Sequence, residues 1–143
     1  MSFENILVPY NGSQGAKRGY KSALELASKT GGKITTITCI ESPSILSFLK
    51  LKKNEKEFEI EKKIIEKELS LLKKDAHKLK IPLKIVVLKS AFAANTILDY
   101  AKSNKIDTVV IGKTKFQGPG HLYHESMVKY LSMRINCPMV IVK

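Results

Sequence analysis

The sequence predicts an α/β fold, an open doubly wound parallel sheet of five strands with helices on both faces. Three observations carry this. Short runs rich in β-branched residues alternate with longer amphipathic runs in the order β-α-β-α-β-α-β-α-β. Strands separated by helices pair in parallel through right-handed crossovers, and the helices then cover both faces. The chain has 143 residues, 43% hydrophobic and 27% charged, the composition of a globular chain and the length of a single domain of ~100–200 residues. Residues 1–143 are therefore expected to form one domain.

The first strand is Asn5 to Pro9 (NILVP). A helix follows from about Gln14 to Thr30. Ser13 is its N-cap, and Ala16, Tyr20, Ala23, Leu24 and Ala27 form its apolar stripe. Gly31-Gly32 ends it, because glycine takes the left-handed conformation without a Cβ clash. The second strand is Lys33 to Ile40 (KITTITCI). Residues 41–51 read as a loop with a helical turn around Ile45 to Leu49. A long helix runs from about Asn54 to Lys80, with Phe58, Ile65, Leu72 and Leu79 at seven-residue intervals and Lys62, Leu69 and Ala76 beside them. The third strand is Leu83 to Leu88. A helix over Ala93 to Ser103 buries Ala94, Ile97, Leu98 and Ala101. The fourth strand, Thr108 to Ile111, ends at Gly112. Lys113 to Glu125 reads as a loop containing Gly118-Pro119-Gly120. The last helix is expected from about Ser126 to Asn136, and the fifth strand over Pro138 to Val142.

Composition narrows the function classes. No apolar run approaches the ~18–20 residues of a membrane span, and MSFENILVP lacks the basic and long apolar regions of a secretory signal. Cys39 and Cys137 make no disulfide framework, which points to a reducing, cytoplasmic location. The net charge is +12, and 23 of the 25 basic residues are lysine. Base-reading and bidentate phosphate sites favour arginine instead. Residues 50–80 hold 11 basic and 7 acidic side chains, so the positive charge is spread along the chain. Lys53–Glu57, Glu59–Lys63 and Lys62–Glu66 stand four apart, as on a solvated helix face. No specific nucleic-acid partner is expected, only weak, salt-sensitive attraction to polyanions.

In such a sheet the ligand crevice lies beyond the carboxyl ends of the strands, where the winding reverses. Two loops there lead into helix N-termini, whose free N–H groups suit phosphate. One is Pro9-Tyr10-Asn11-Gly12-Ser13. The other runs from Gly112 to Ser126. Neither contains a G-x-x-x-x-G-K-[ST] or G-x-G-x-x-G pattern. His121, His124 and Glu125 could ligate a metal, but loop polar residues beside Tyr123 are the simpler reading. His77 is expected in solvent. Ser13 and Ser126 read as caps, with no His or Asp partners assignable by spacing, so no catalytic residue is expected.

Several stretches resemble the universal stress protein family across essentially the whole chain. ILVPYNGS resembles the family's ILVPxDGS. IDTVVIG (Ile106 to Gly112) resembles DLIVMG, and Cys137-Pro138-Met139-Val140-Ile141-Val142 resembles CPVLVV. The resemblance implies the strand order 3-2-1-4-5, with the two loops facing each other and the two cysteines on different strands near opposite ends of the sheet. It also implies a homodimer through the strand Met139–Val142 and a stress-response or regulatory role. Some members bind ATP through Gly, two residues, Gly, nine residues, then Gly-Ser. Here those positions are Gly112, Lys115, Glu125 and Ser126, and the family's aspartate after the first strand is Asn11. A nucleotide, if held with Mg²⁺, would set its adenine near Pro9, Tyr10, Asn11 and Cys39. Its phosphates would lie over Gly112, Lys113, Lys115 and Ser126, next to Met127. Glu125, expected at the mouth of the last helix, would occupy the anion site itself. A nucleotide-free homodimeric interaction module is the alternative, and a weak polyanion binder the third.

Overall fold

The computed structural model describes residues 3–41, 55–113 and 121–143. Its elements are β1 (Asn5–Pro9), α1 (Gln14–Thr30), β2 (Lys33–Glu41), α2 (Glu55–Lys78), β3 (Leu83–Ser90), α3 (Ala93–Ser103), β4 (Thr108–Gly112), α4 (His121–Arg134) and β5 (Met139–Val142). The strands form one sheet in the order β3-β2-β1-β4-β5, with every pair parallel. β1 is central, with Ile6 opposite both Ile34 and Thr108.

Alternation along the strands divides the core into two layers. Ile6, Val8, Ile34 and Val110 pack with Tyr20, Ala23, Leu24 and Ala27 of α1 and Leu69, Leu72 and Ala76 of α2. Leu7, Ile37, Val109 and Ile111 pack with Ile97, Leu98 and Ala101 of α3 and Leu131 of α4. Helices thus cover both faces, and the α1 and α3 stripes read from the sequence are buried.

Local chemistry sets the helix ends. The Ser13 hydroxyl accepts the Ala16 N–H at 3.1 Å, and Gly31 ends α1 at φ 74°. α2 ends two residues earlier than expected. Lys80 adopts φ 58°, its N–H bonds the His77 carbonyl, and the Ile81 N–H reaches back to Ala76. This is a Schellman close with lysine where glycine is usual. Leu79, expected on the buried stripe, therefore lies outside the helix and is exposed.

The larger correction concerns α4, which begins at His121 and not near Ser126. Glu125 and Ser126 therefore lie in its second turn. Neither is a cap, and Glu125 is not at the mouth of the helix. The turn expected around Ile45 to Leu49 lies outside the described residues. Among the described residues no helix is long and apolar enough to cross a membrane.

Candidate functional site

The winding reverses between β1 and β4, so their carboxyl ends lead away on opposite faces of the sheet and leave a crevice. It holds a cavity of about 370 Å³. The β1–α1 turn supplies Pro9 to Ser13, and the end of β2 supplies Ile37 to Ile40. α2 lends Glu61, Ile65, Glu68 and Leu69, and α3 lends Ala93 and Ile97. β4 and α4 close it with Ile111, Gly112 and Met127.

The turn is held by its own side chains. Asn11 Oδ1 accepts the Ser13 N–H at 3.0 Å, and the Ser13 cap then satisfies one of the α1 donors that an anion would use. The Tyr10 N–H donates to the Ile37 carbonyl at 2.9 Å, carrying the ladder past the strand end. The Tyr10 carbonyl accepts the Thr38 hydroxyl at 2.7 Å. The Tyr10 ring stands edge-on to Tyr20 at 6.3 Å, and the Tyr20 hydroxyl donates to the Leu72 carbonyl of α2 at 2.7 Å. Burial raises the Tyr10 hydroxyl above its ordinary value, and the Glu68 carboxylate adds to the rise.

α3 offers a different helix start. Phe92 stands at its cap position with no side-chain cap bond, so Ala93 brings an uncapped N-terminus to the cavity wall. Gly112 has a packing role that its place in the glycine pattern does not suggest. A Cβ there would collide with the Gly15 carbonyl of α1, and one on Gly19 would stand 2.7 Å from the Gly112 nitrogen. Glycine is required at 112 because α1 crosses β4 at backbone contact.

Of the residues expected at a nucleotide site, Pro9, Tyr10, Asn11, Cys39, Gly112 and Met127 converge on the cavity. Lys113 does not line it. Its N–H is bound to the Val142 carbonyl of β5 and its carbonyl to Arg18 Nη2 at 2.9 Å, and its side chain is exposed. Lys115 lies outside the described residues, as do the side chains of His121, His124, Glu125 and Ser126. Sequence reasoning missed Thr38, Glu61, Glu68 and Ala93. The seven-residue spacing of Glu61 and Glu68 puts them on one face of α2 beside its buried stripe, but that spacing does not say that this face overhangs the crevice. They are the only charged side chains among the described lining residues. No group of three potential metal ligands occurs among the described residues. Neither Cys39 nor Cys137 is in a disulfide.

The sequence model of the universal stress protein family matches residues 2–143. Among solved structures, universal stress protein UspA from Lactobacillus plantarum is 22% identical with a TM-score of 0.74, over 100% of this chain and 99% of that one. The universal stress protein from Archaeoglobus fulgidus in complex with dAMP is 16% identical with a TM-score of 0.68, over 100% of each chain. A family protein from Arabidopsis thaliana with AMP bound is 16% identical with a TM-score of 0.66, over 98% of this chain and 91% of that one. At these identities the likeness is one of fold. No curated protein matches the chain significantly in sequence. The family match over residues 2–143, on a sheet of order 3-2-1-4-5, establishes that the chain belongs to the universal stress protein family.

Proposed function

We propose that this chain is a small, non-catalytic regulatory module, one domain over residues 1–143, that takes an adenine nucleotide in the crevice between β1 and β4. The observation that carries the reading is the cavity itself. It lies at the winding reversal, where this class of sheet binds ligands, and its volume of about 370 Å³ falls within the ~300–1,000 Å³ of small-molecule sites. Its walls suit the ligand's parts. Ile37, Ile40, Ile65 and Leu69 offer apolar surface to a flat base beside Pro9, Tyr10 and Cys39. Asn11 and Gly12, which also line the cavity, are the candidates to meet the ribose. The uncapped start of α3 and the chain beyond Gly112, with Lys115 and Ser126, are the candidates for phosphate. Two proteins of this fold are solved with dAMP and AMP, which supports the adenine class. Mg-ATP is the larger ligand to be compared with AMP.

The role we assign to the module is regulatory, in stress response, in the cytoplasm, as a homodimer through β5. Titration calorimetry with AMP and with Mg-ATP tests the nucleotide. A saturable heat is expected, with the Mg-ATP heat reduced in a Lys115→Glu/Ser126→Ala variant. Silence from both ligands at millimolar concentration would sink the reading.

Two observations favour a second reading, a nucleotide-free interaction module. The start of α1 is capped from within by Ser13, and the charged lining residues that are described are acidic. That same calorimetric silence is its signature.

A further inference from the structure

We propose that α2 carries a second association surface, separate from the β5 edge, and that its partner is another copy of this chain with the two α2 helices running parallel. The helix has two apolar faces. One, centred on Leu69, Leu72 and Ala76, is buried against the sheet. The other consists of Ile60, Ile64 and Leu71, which are 52%, 57% and 60% exposed. At ~100° per residue these three fall within an arc of about 40°. Branched apolar side chains aligned along an outward face are a contact seam, whereas scattered exposed ones are ordinary.

From Lys56 to Asp75 the charges beside the seam are sorted by sign, and Lys78, at the end of the helix, falls on the line of the seam itself. Lys56, Lys63, Lys67 and Lys74 lie on one side of it, and Glu57, Glu61, Glu68 and Asp75 on the other. Each row is displaced by roughly 40–80° from the seam's centre on the same wheel. This sorting identifies both the partner and its direction. When two identical helices pack parallel about a twofold axis, each flank meets the opposite flank of the other copy. Lys63 then faces Glu68 of the second copy, and Lys74 stands beside its Asp75. When the helices pack antiparallel, each flank meets itself, lysine against lysine and carboxylate against carboxylate. Flanking charges of this kind set partner and orientation in helix pairs. An anionic membrane surface fits less well, because the acidic row would face it together with the lysines.

Three apolar residues per copy make a small seam, so the association is weak and salt-sensitive. It is also spatially distinct from the β5 edge. α2 packs over β3, at the opposite side of the sheet.

The test uses the full chain with Cys39→Ser and Cys137→Ser, carrying Leu71→Cys, under mild oxidation. Parallel pairing brings the two copies of position 71 together, so a disulfide-linked dimer is expected. Antiparallel pairing through the same seam sets position 71 against position 60, and pairing through β5 keeps the α2 helices apart, so neither gives the cross-link. In the same background Lys63→Glu is expected to slow cross-linking about tenfold, equivalent to ~1.4 kcal/mol. Adding Glu68→Lys to it should restore the rate. Circular dichroism melts confirm that each variant is folded. Absence of the cross-link in folded protein overturns the proposal. So does a Lys63→Glu variant that cross-links as fast as its parent, or binding to anionic phospholipid vesicles with no cross-link.

Discussion

Tyr20 shows how one side chain ties the site to the core. It is buried in the layer between α1 and the sheet, and its hydroxyl bridges to the Leu72 carbonyl of α2. Burial, with smaller contributions from Asp75 and Tyr10, pushes the hydroxyl well above the ordinary 10.0. Below about pH 10 both folded and unfolded chains keep the proton, and the group adds no pH dependence. Above it the unfolded chain ionises first, so stability falls as pH rises. Tyr20→Phe is expected to cost about 1 kcal/mol at neutral pH, the net worth of a typical hydrogen bond, and to make the alkaline fall shallower. Urea midpoints followed from about pH 8 to about pH 11 check both signs. Gly112 gives a second residue-scale prediction. Gly112→Ala forces a methyl group into the backbone of α1 at Gly15 and should cost about 2–3 kcal/mol without any ligand present, as overpacking does. A denaturation midpoint unchanged from wild type would return Gly112 to a purely ligand-facing role.

At the scale of elements, legibility followed the chemistry of the ends. α1 and α3 could be bounded from sequence because Ser13, Gly31 and the apolar stripes each announce themselves. α4 was misplaced because Ser126 looks like a cap. In the sequence, the breaker run Gly118-Pro119-Gly120 directly precedes His121, and no residue from His121 onward opposes a helix. That displacement removes the case against phosphate built on Glu125, since the residue is a turn inside the helix. The end of α2 was misjudged for the opposite reason, because the left-handed position is filled by Lys80, which carries no signal for it. A non-glycine residue there carries a cost of ~1 kcal/mol or more, so Lys80→Gly should raise stability by about 1 kcal/mol. A rise in the thermal midpoint of a few degrees is the expected readout. The crevice was readable in advance, because winding reversal follows from the order of elements. Glu61 and Glu68 were not, because which side of α2 overhangs the crevice is fixed by tertiary packing and not by periodicity.

At the scale of the molecule, the open sheet has two edges, and they are managed differently. β3 carries exposed Lys84 and Lys89, the latter with its ammonium 5.7 Å from the Phe58 ring of α2. Charge on an edge strand discourages pairing. β5 reads Met-Val-Ile-Val, with Val140 39% and Ile141 44% exposed and no charge along the strand. Association through β5, as proposed, is the outcome this asymmetry favours, and salt separates it from association through α2. Contacts between apolar strands persist when ions are added, whereas charge-sorted helix flanks are screened beyond ~5 Å at a few tenths molar salt. Sedimentation equilibrium in about 0.5 M sodium chloride, where that screening holds, therefore reads β5 nearly alone. The wild-type chain is expected to be dimeric there, and Ile141→Lys monomeric, because each copy would bring an ammonium to the shared edge. The substitution sits at an exposed position, so its own thermal stability should change by no more than about 0.5 kcal/mol, which separates lost association from lost folding. A dimer that survives Ile141→Lys at high salt would move the interface away from β5.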